Sequence, residues 1–302
     1  MSPFLIILCV FVHCINLTSA CGDHPIKYVI SKIHDGEYTL TQIEQNVITS
    51  SEHAYSIKLA EPIQKLCKGL LNITHQTRYL YISEGLEDIE PGVFAGQNFM
   101  DAFFITSNKL RKLTSGTFEN LTELNEIDLS DNEISIIEPG AFKNLPNLRI
   151  LNLSKNKLSM LIHHSIVNTP NLVAFYLNGN HFTKLEPHSL SFLSKNKPVD
   201  LNLSQNFLED IHTKCFEELS IIRFNISMNN LRMIPSVIMK NKDMELLDLC
   251  FNKLRRLPED TYTLKKLHTF NVLGNPLDCV TQSKLRELSF NLNINVKLNS
   301  FC

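Results

Sequence analysis

The side chains that could do chemistry in this sequence do not form any of the common catalytic motifs. The chain has no H-E-x-x-H, G-x-S-x-G or C-x-x-C motif and no glycine-rich phosphate loop. His163 and His164 adjoin each other, but adjacent residues do not share one face of a helix, and nothing nearby completes a metal set. We therefore predict no catalytic residue, no metal site and no cofactor.

The most regular polar residue is asparagine, which recurs every 23 to 26 residues. Residues 124–158 contain the pattern L-x-x-L-x-L-x-x-N-x-L twice, with the two copies 24 residues apart. A side-chain amide can donate and accept hydrogen bonds, so it can satisfy the backbone groups of a turn and of its neighbour. The positions that carry the pattern are Glu84 (a substitution in the first coil), Asn108, Asn132, Asn156, Asn180, Asn206, Asn229, Asn252 and Asn275.

This period predicts a solenoid of about nine coils with a parallel β-sheet on one side. A second apolar set lies ten residues after each asparagine and should form a stacked spine away from the sheet. Prolines between these two sets favour irregular or short helical turns over long helices. The spine residues are Phe118, Phe142, Ile166, Leu190, Phe216 and Tyr262.

The two ends of the chain predict secretion and capping. An apolar run from Phe4 to Val12, followed by small residues up to Ala20, is typical of a secretory signal cleaved near Ala20, with an N-terminal membrane anchor as the alternative. No later segment is apolar enough to span a membrane, so we expect a soluble, secreted product. The net charge of −2 gives no general attraction to nucleic acid or to anionic membranes.

Six cysteines follow the predicted signal, and four of them stand near the ends. In a secreted chain we expect the pairs Cys21 with Cys67 and Cys279 with Cys302. The cysteines that remain, Cys215 and Cys250, are either inert buried thiols or, for Cys250, a link to another chain. The predicted division is 1–20 signal peptide, 21–76 N-terminal cap with a small hairpin in EYTLTQI and YSIKLA, 77–275 solenoid and 276–302 C-terminal cap.

Residues 77–302 resemble the extracellular, 24-residue class of leucine-rich repeat proteins, which includes Toll-type receptor ectodomains and secreted immune proteins of arthropods. The resemblance implies an α/β solenoid, a right-handed horseshoe with a parallel concave sheet and disulfide-capped ends. It also implies binding of a protein or glycan ligand, commonly on the concave sheet, and a role in innate immune recognition or modulation. NPLDC, at residues 275–279, resembles the start of that family's C-terminal cap.

The residue between the last two apolar positions of each repeat must face outward from the sheet. These residues form a polar row with two bulky exceptions, and we predict that the row binds the ligand. They are Phe104, Asp128, Asn152, Tyr176, Asn202, Asn225 and Asp248, followed by Asn271. An exposed sheet also needs small polar residues simply to stay soluble, which is the alternative interpretation.

Beyond the predicted signal peptide, five asparagines begin N-x-[ST] and are possible glycan sites in a secreted chain. Asn72 and Asn120 are expected on the cap and the convex side, and we predict that these two carry glycans. Asn152, Asn202 and Asn225 lie on the ligand row itself. Two other functions remain open: a non-catalytic subunit that stabilises a secreted enzyme, and a soluble receptor decoy or matrix-associated structural protein.

Overall fold

The computed structural model describes residues 26–34, 37–45, 48–49, 54–73, 77–292 and 294–299. The predicted signal peptide, Cys21 and Cys302 lie outside these residues. In this part of the chain, no helix combines the length and the apolar character that a membrane span requires.

The described residues form many short strands and few helices. The strands, in chain order, are β1 Ile26–His34, β2 Glu37–Gln45, β3 Ile48–Thr49, β4 Ala54–Leu59, β5 Lys65–Leu66, β6 Leu71–Asn72, β7 Tyr79–Ser83, β8 Asp88–Ile89, β9 Ala102–Thr106, β10 Lys112–Leu113, β11 Phe118–Glu119, β12 Glu126–Asp128, β13 Ile136–Ile137, β14 Phe142–Lys143, β15 Ile150–Asn152, β16 Ile166–Val167, β17 Ala174–Tyr176, β18 Lys184–Leu185, β19 Val199–Asn202, β20 Asp210–Ile211, β21 Ile221–Asn225, β22 Leu246–Asp248, β23 Thr269–Asn271 and β24 Asn295–Lys297. The α-helices are α1 Ser236–Met239 and α2 Cys279–Leu292, and two 3-10 helices span Thr213–Cys215 and Glu259–Thr263.

One sheet of thirteen strands runs through the molecule in the order β2-β1-β4-β7-β9-β12-β15-β17-β19-β21-β22-β23-β24. Every neighbouring pair from β4 to β24 is parallel, as a stack of similar coils requires. The predicted leucine-rich repeat solenoid is therefore confirmed. It has about ten turns, because β4 precedes the first coil that the asparagine pattern identifies.

The N-terminal hairpin differs from the prediction. EYTLTQI lies in β2 and pairs with β1, whereas YSIKLA contains most of β4, which pairs with the other edge of β1. The reason lies in Ile57 and Leu59, which are buried. Ile57 is in parallel register with Leu80 of β7, so β4 already follows the repeat.

The asparagines stabilise the turns as expected. Asn132, for example, accepts the N–H of Leu110 through Oδ1 (3.2 Å) and donates through Nδ2 to the carbonyl oxygens of Ile105 (2.8 Å) and Leu129 (3.0 Å). All eight asparagines are buried. Glu84 does not take this role in the first coil, because its side chain is exposed. Its backbone φ of 71° resembles that of Ser107, the residue just before Asn108.

The apolar spine opposite the sheet also forms. The rings of Phe118 and Phe142 stack with centroids 5.3 Å apart, and Phe94, which the sequence pattern did not include, stacks on Phe118 at 5.1 Å. Phe216 and the aliphatic members of the spine are buried, while Tyr262 is partly buried. This continuous core fixes each coil against the next and holds the sheet rigid.

The C-terminal end is closed by α2 and β24. Asp278 begins the helix, since its Oδ1 accepts the N–H of Thr281 over 2.8 Å. β24 then adds a strand parallel to β23, which the sequence did not predict. Cys67 and Cys279 each take part in a disulfide bond. The expected pairs, Cys21 with Cys67 and Cys279 with Cys302, stay predictions, because Cys21 and Cys302 lie outside the described residues.

The coil between Asn180 and Asn206 is 26 residues long, yet the sheet is continuous through it. Tyr176 still pairs with Asn202 across the β17–β19 ladder. The additional length falls at residues 195–198, which are exposed in the loop that precedes β19. Sequence insertions are thus absorbed outside the sheet.

Candidate binding surface on the concave sheet

The predicted ligand row exists as a geometric feature. The strand registers align Phe104 with Asp128, Asp128 with Asn152, and so on strand by strand to Asn271. Every member of the row is partly buried, as expected for side chains that stand on an open sheet. The register also extends the row to Tyr81 of β7 before Phe104.

Most polar side chains of this row form a hydrogen bond that stabilises the following turn. Asp128 accepts the backbone N–H of Ser130, two residues later, over 2.8 Å. This contact ends the strand and begins the turn. The same contact, at 3.0 to 3.3 Å, recurs at Asn152, Asn202, Asn225, Asp248 and Asn271. Fold stability therefore explains these side chains without a ligand.

The aromatic side chains of the row do not form this hydrogen bond to the turn. Phe104 stacks on Tyr81 with ring centroids 4.8 Å apart and planes within 8° of parallel. Tyr176 lies three strands along the sheet from Phe104. The sequence row began at Phe104 and omitted Tyr81. The repeat spacing could have identified it, because Tyr81 lies 23 residues before Phe104 in the same register.

A second set of polar aromatic contacts lies beside this row. The hydroxyl of Tyr55 donates to that of Tyr79 (3.4 Å), which donates to Oδ2 of Asp101 (2.9 Å). Asn125 donates to Oδ1 of the same carboxylate over 2.6 Å. The hydrogen bond from Tyr55, burial and the bond to Asp101 all raise the pKa of Tyr79. The network fixes Tyr79 next to Tyr81 on the outer face.

An acidic side chain that forms no ion pair within the described part of the chain lies in the same region. Glu126 is partly buried, and burial, followed by the nearby charges of Asp128 and Asp101, raises its pKa. Burial also raises the pKa of Tyr176, with a further contribution from Asp200. We name the surface formed by Tyr79, Tyr81, Phe104, Glu126 and Tyr176 the aromatic end.

The C-terminal half of the concave sheet has a different character. Arg223 pairs with Asp200 (Nη1 to Oδ2, 3.4 Å), so these charges offset each other. Cys250 is a free thiol that is only 9% exposed. Burial and the carboxylate of Asp248 raise its pKa to about 11, which disfavours the reactive thiolate. Cys215 is also free and buried, on the convex side as predicted.

The five sequons beyond the predicted signal peptide lie in different parts of the fold. Asn120 is exposed on the convex side, where its Oδ1 accepts from Asn144 over 2.8 Å. Asn72 ends β6. The other three lie in the concave row, where Asn202 and Asn225 each also accept the hydroxyl of the serine two residues later, and Asn152 donates to Asp128 over 3.1 Å.

Metal coordination has no candidate in the part of the chain that the structure describes, where no three His, Cys, Asp or Glu side chains are grouped suitably. His163 and His164 contact each other edge to face, with ring centroids 3.8 Å apart. Two adjacent imidazoles without a third ligand do not make a metal centre.

Comparisons with known proteins agree on the fold. The family model described as leucine rich repeat matches residues 100–158. No curated protein matches the sequence. Among solved structures, a chain from the octameric complex of Latrophilin 3 (Lec, Olf), Unc5D (Ig, Ig2, TSP1) and FLRT2 (LRR) is similar, with a TM-score of 0.58 and 19% identity over 83% of this chain and 85% of that chain. At this identity the similarity shows the fold alone.

Proposed function

We propose that this chain is a secreted, non-catalytic binding protein whose aromatic end takes a protein ligand through a basic side chain. The observation that carries the proposal is the stacked pair of Tyr81 and Phe104 on an open sheet face. Partly exposed aromatic rings at fixed positions offer a large contact area at low entropic cost, and such residues dominate the energetics of protein interfaces.

The charges of the aromatic end favour a basic ligand group. Glu126 makes no ion pair with a residue that the structure describes and is crowded by Asp128 and Asp101, so an incoming cation would relieve repulsion as well as form a new ion pair. A lysine or arginine side chain can also lie over the face of an aromatic ring. Tyr81, Phe104 and Glu126 together therefore suit a basic residue better than an anionic or purely apolar one.

The solved neighbour supports a protein ligand only by analogy, since its leucine-rich repeat component occurs in a complex with other proteins. Secretion is supported by the apolar run between Phe4 and Val12 and by the disulfide-bonded state of Cys67 and Cys279. A role in innate immune recognition or modulation rests on the sequence resemblance. A glycan ligand would use the same aromatic rings and is an outcome that the experiment below separates.

The experiment is quantitative capture of partners from native extracellular fluid. The wild-type chain is compared with the double variant Tyr81→Ala/Phe104→Ala and with Glu126→Gln. Phe290→Ala is the matched control, because Phe290 is 90% exposed on α2, far along the chain from the aromatic end. We expect each identified partner to be lost from the double variant, weakened by Glu126→Gln and retained by the control.

Equal capture by the wild type and the double variant would refute the proposal. Loss of capture after enzymatic removal of glycans from the fluid, with no loss after mild proteolysis, would identify a glycan ligand instead. A partner that proves to be an enzyme active only in the complex would identify the chain as a stabilising subunit.

A further inference from the structure

Three asparagines form a ladder of side-chain amides across the coils that carry β11, β14 and β16. Asn144 donates through Nδ2 to Oδ1 of Asn120 (2.8 Å), and Asn168 donates in the same way to Oδ1 of Asn144 (3.0 Å). All three residues adopt the left-handed backbone region, with φ values of 59°, 54° and 56°. We call these residues the asparagine ladder. Each of its amides donates to the preceding coil and directs its oxygen towards the following one.

The ladder ends at Asn168. The residue 24 positions later is Phe192, and β16 is the last strand of its three-stranded sheet. One coil earlier, the backbone N–H of Asn144 bonds to the carbonyl of Val167 over 3.1 Å. The corresponding N–H of Asn168 has no acceptor, and its Oδ1 has no donor, in the part of the chain that the structure describes. Asn168 therefore offers a donor and an acceptor to a further molecule.

A cavity of about 320 Å³ adjoins this end of the ladder. Its lining includes the neutral polar residues Asn168, Thr169, Ser191 and Ser194 and the aromatic Phe192. It lies where the 26-residue coil departs from the regular period. Ligand pockets in proteins usually have volumes of about 300–1,000 Å³, so this cavity suits a small ligand.

Ser194 brings an unsatisfied polar group to the cavity. The residue is only 2% exposed, and its hydroxyl has no hydrogen-bond partner in the described structure. A buried hydroxyl without a partner costs free energy, and proteins rarely keep one. The hydroxyl of Thr169, by contrast, donates to the carbonyl of Phe192 (3.4 Å). A ligand that bonds to Ser194 would remove this cost.

The cavity offers no free charge for an ionic ligand. Its one cationic lining residue, Lys195, already pairs with Glu218, and no Asp or Glu lines the cavity within the described chain. Phe192 supplies an apolar wall, and its position is fixed because its ring meets that of Phe175 edge to face, with centroids 5.2 Å apart. The cavity thus combines neutral hydrogen-bonding groups with one aromatic ring.

We propose that this cavity binds a neutral sugar that carries an acetamido group. The acetamido N–H donates to Oδ1 of Asn168, as a fourth amide of the ladder would, and the acetamido oxygen accepts the hydroxyl of Ser194. The methyl group packs against Phe192. The hydroxyls of the sugar ring bond to the backbone N–H of Asn168 and to the side chain of Ser191.

Other ligand classes match these groups less well. A purely apolar ligand would leave Asn168 and Ser194 without partners, and an anion would find Lys195 already engaged. A peptide group could supply the amide but not the several hydroxyls that the rest of the polar lining suits. The site is separate from the aromatic end, so this inference does not rest on the proposed function.

The test is saturation-transfer NMR of the full chain, expressed through a secretory pathway, with N-acetylglucosamine as the probe. We expect a Kd on the order of 1 mM for a ligand of this size, with the strongest saturation on the acetamido methyl protons. Glucose, which lacks the amide, should bind about tenfold more weakly. N-Methylacetamide keeps the amide without the ring, and if it bound as tightly as the sugar, the assignment to a sugar would be wrong.

Ser194→Ala tests the cavity without risk to the fold, because it removes a buried hydroxyl that has no partner. It should keep or raise the melting temperature while it raises the Kd about fivefold. Asn168→Ala should weaken binding to a similar extent. Asn147→Ala is the matched control, since Asn147 also makes an exposed bond to the preceding coil, at the Thr122 carbonyl (2.7 Å), but does not line the cavity. It should leave the Kd unchanged.

Absence of saturation transfer to the probe, or a Kd that neither Ser194→Ala nor Asn168→Ala changes, would overturn the proposal. Tyr81→Ala/Phe104→Ala should bind the sugar as the wild type does. Loss of sugar binding in that variant would place the sugar at the aromatic end and refute the cavity as its site.

Discussion

Asn156 donates through Nδ2 to the carbonyl oxygen of Leu129, one coil earlier, over 3.0 Å. Its Oδ1 accepts the N–H of Ile134 over 2.9 Å, and Nδ2 also contacts the carbonyl of Leu153 at 3.1 Å. One amide thus joins two coils at a site that is only 4% exposed. The coils are held together by these side-chain bonds as well as by the sheet.

Asn156→Ala should therefore lower the free energy of unfolding by about 3–5 kcal/mol, because several buried backbone groups lose their partner at once. Urea unfolding followed by circular dichroism measures the change. Asn147→Ala is the matched control, since Asn147 also bonds to the preceding coil, at the Thr122 carbonyl (2.7 Å), but at an exposed site. Similar losses in both variants would contradict the special role of the buried amide.

Glu126→Gln should raise stability near neutral pH. Burial and the charges of Asp128 and Asp101 raise the pKa of Glu126, so the folded chain loses stability as pH rises through that pKa. Glutamine removes this loss. Urea midpoints should show the variant ahead of the wild type near neutral pH and equal to it in acid. Glu123→Gln, at an exposed position, controls for the change in net charge. A variant that is less stable near neutral pH would contradict the electrostatic argument.

Asp278→Asn should have the opposite effect on stability in the same pH range. The backbone N–H and hydroxyl of Thr281, together with Arg256, hold the pKa of Asp278 at about 2, below its ordinary 3.8. A depressed pKa stabilises the fold above the ordinary value, and this contribution is lost as pH falls towards about 2. The variant should thus be less stable than wild type near neutral pH and should converge with it in acid, as measured by thermal melting. Asn keeps a capping side chain, whereas Asp278→Ala removes the cap and should cost more.

Glycan occupancy should be high at Asn120 and low in the concave row. Asn120 is exposed on the convex side, while Asn152 is engaged with Asp128 on the sheet. Mass spectrometry of glycopeptides from the chain, expressed through a secretory pathway, measures occupancy at each sequon. Full occupancy at Asn152, Asn202 and Asn225 would cover the row and move the ligand site to a lateral edge of the solenoid.

The repeat itself could be predicted from the sequence because leucine and asparagine occupy positions that only one geometry satisfies. The alignment of Phe104 with Asp128 and its successors followed from the same spacing. The extra coil at β4 was missed because Ile57 and Leu59 lie in register with the repeat without a following asparagine. β24 was missed because it forms only by pairing with β23, which no local pattern reveals.

The composition of the candidate ligand site was harder to predict than the alignment of its row. The sequence places Asn202 and Tyr176 in one row. It does not show that the Asn202 side chain accepts a backbone N–H in the turn, whereas the Tyr176 ring has no such contact. Glu126 and Tyr79 were missed because they lie in the neighbouring row, where burial and the approach of other charges decide their behaviour. Such properties depend on contacts between coils.

The long coil before Asn206 offers a practical route for labelling this molecule. Residues 195–198 are exposed in the loop before β19, while Tyr176 and Asn202 keep their pairing. A fluorophore or short epitope placed at Asn196 would therefore lie outside the strands. Engineers could thus immobilise or track the solenoid without altering a strand of its concave sheet.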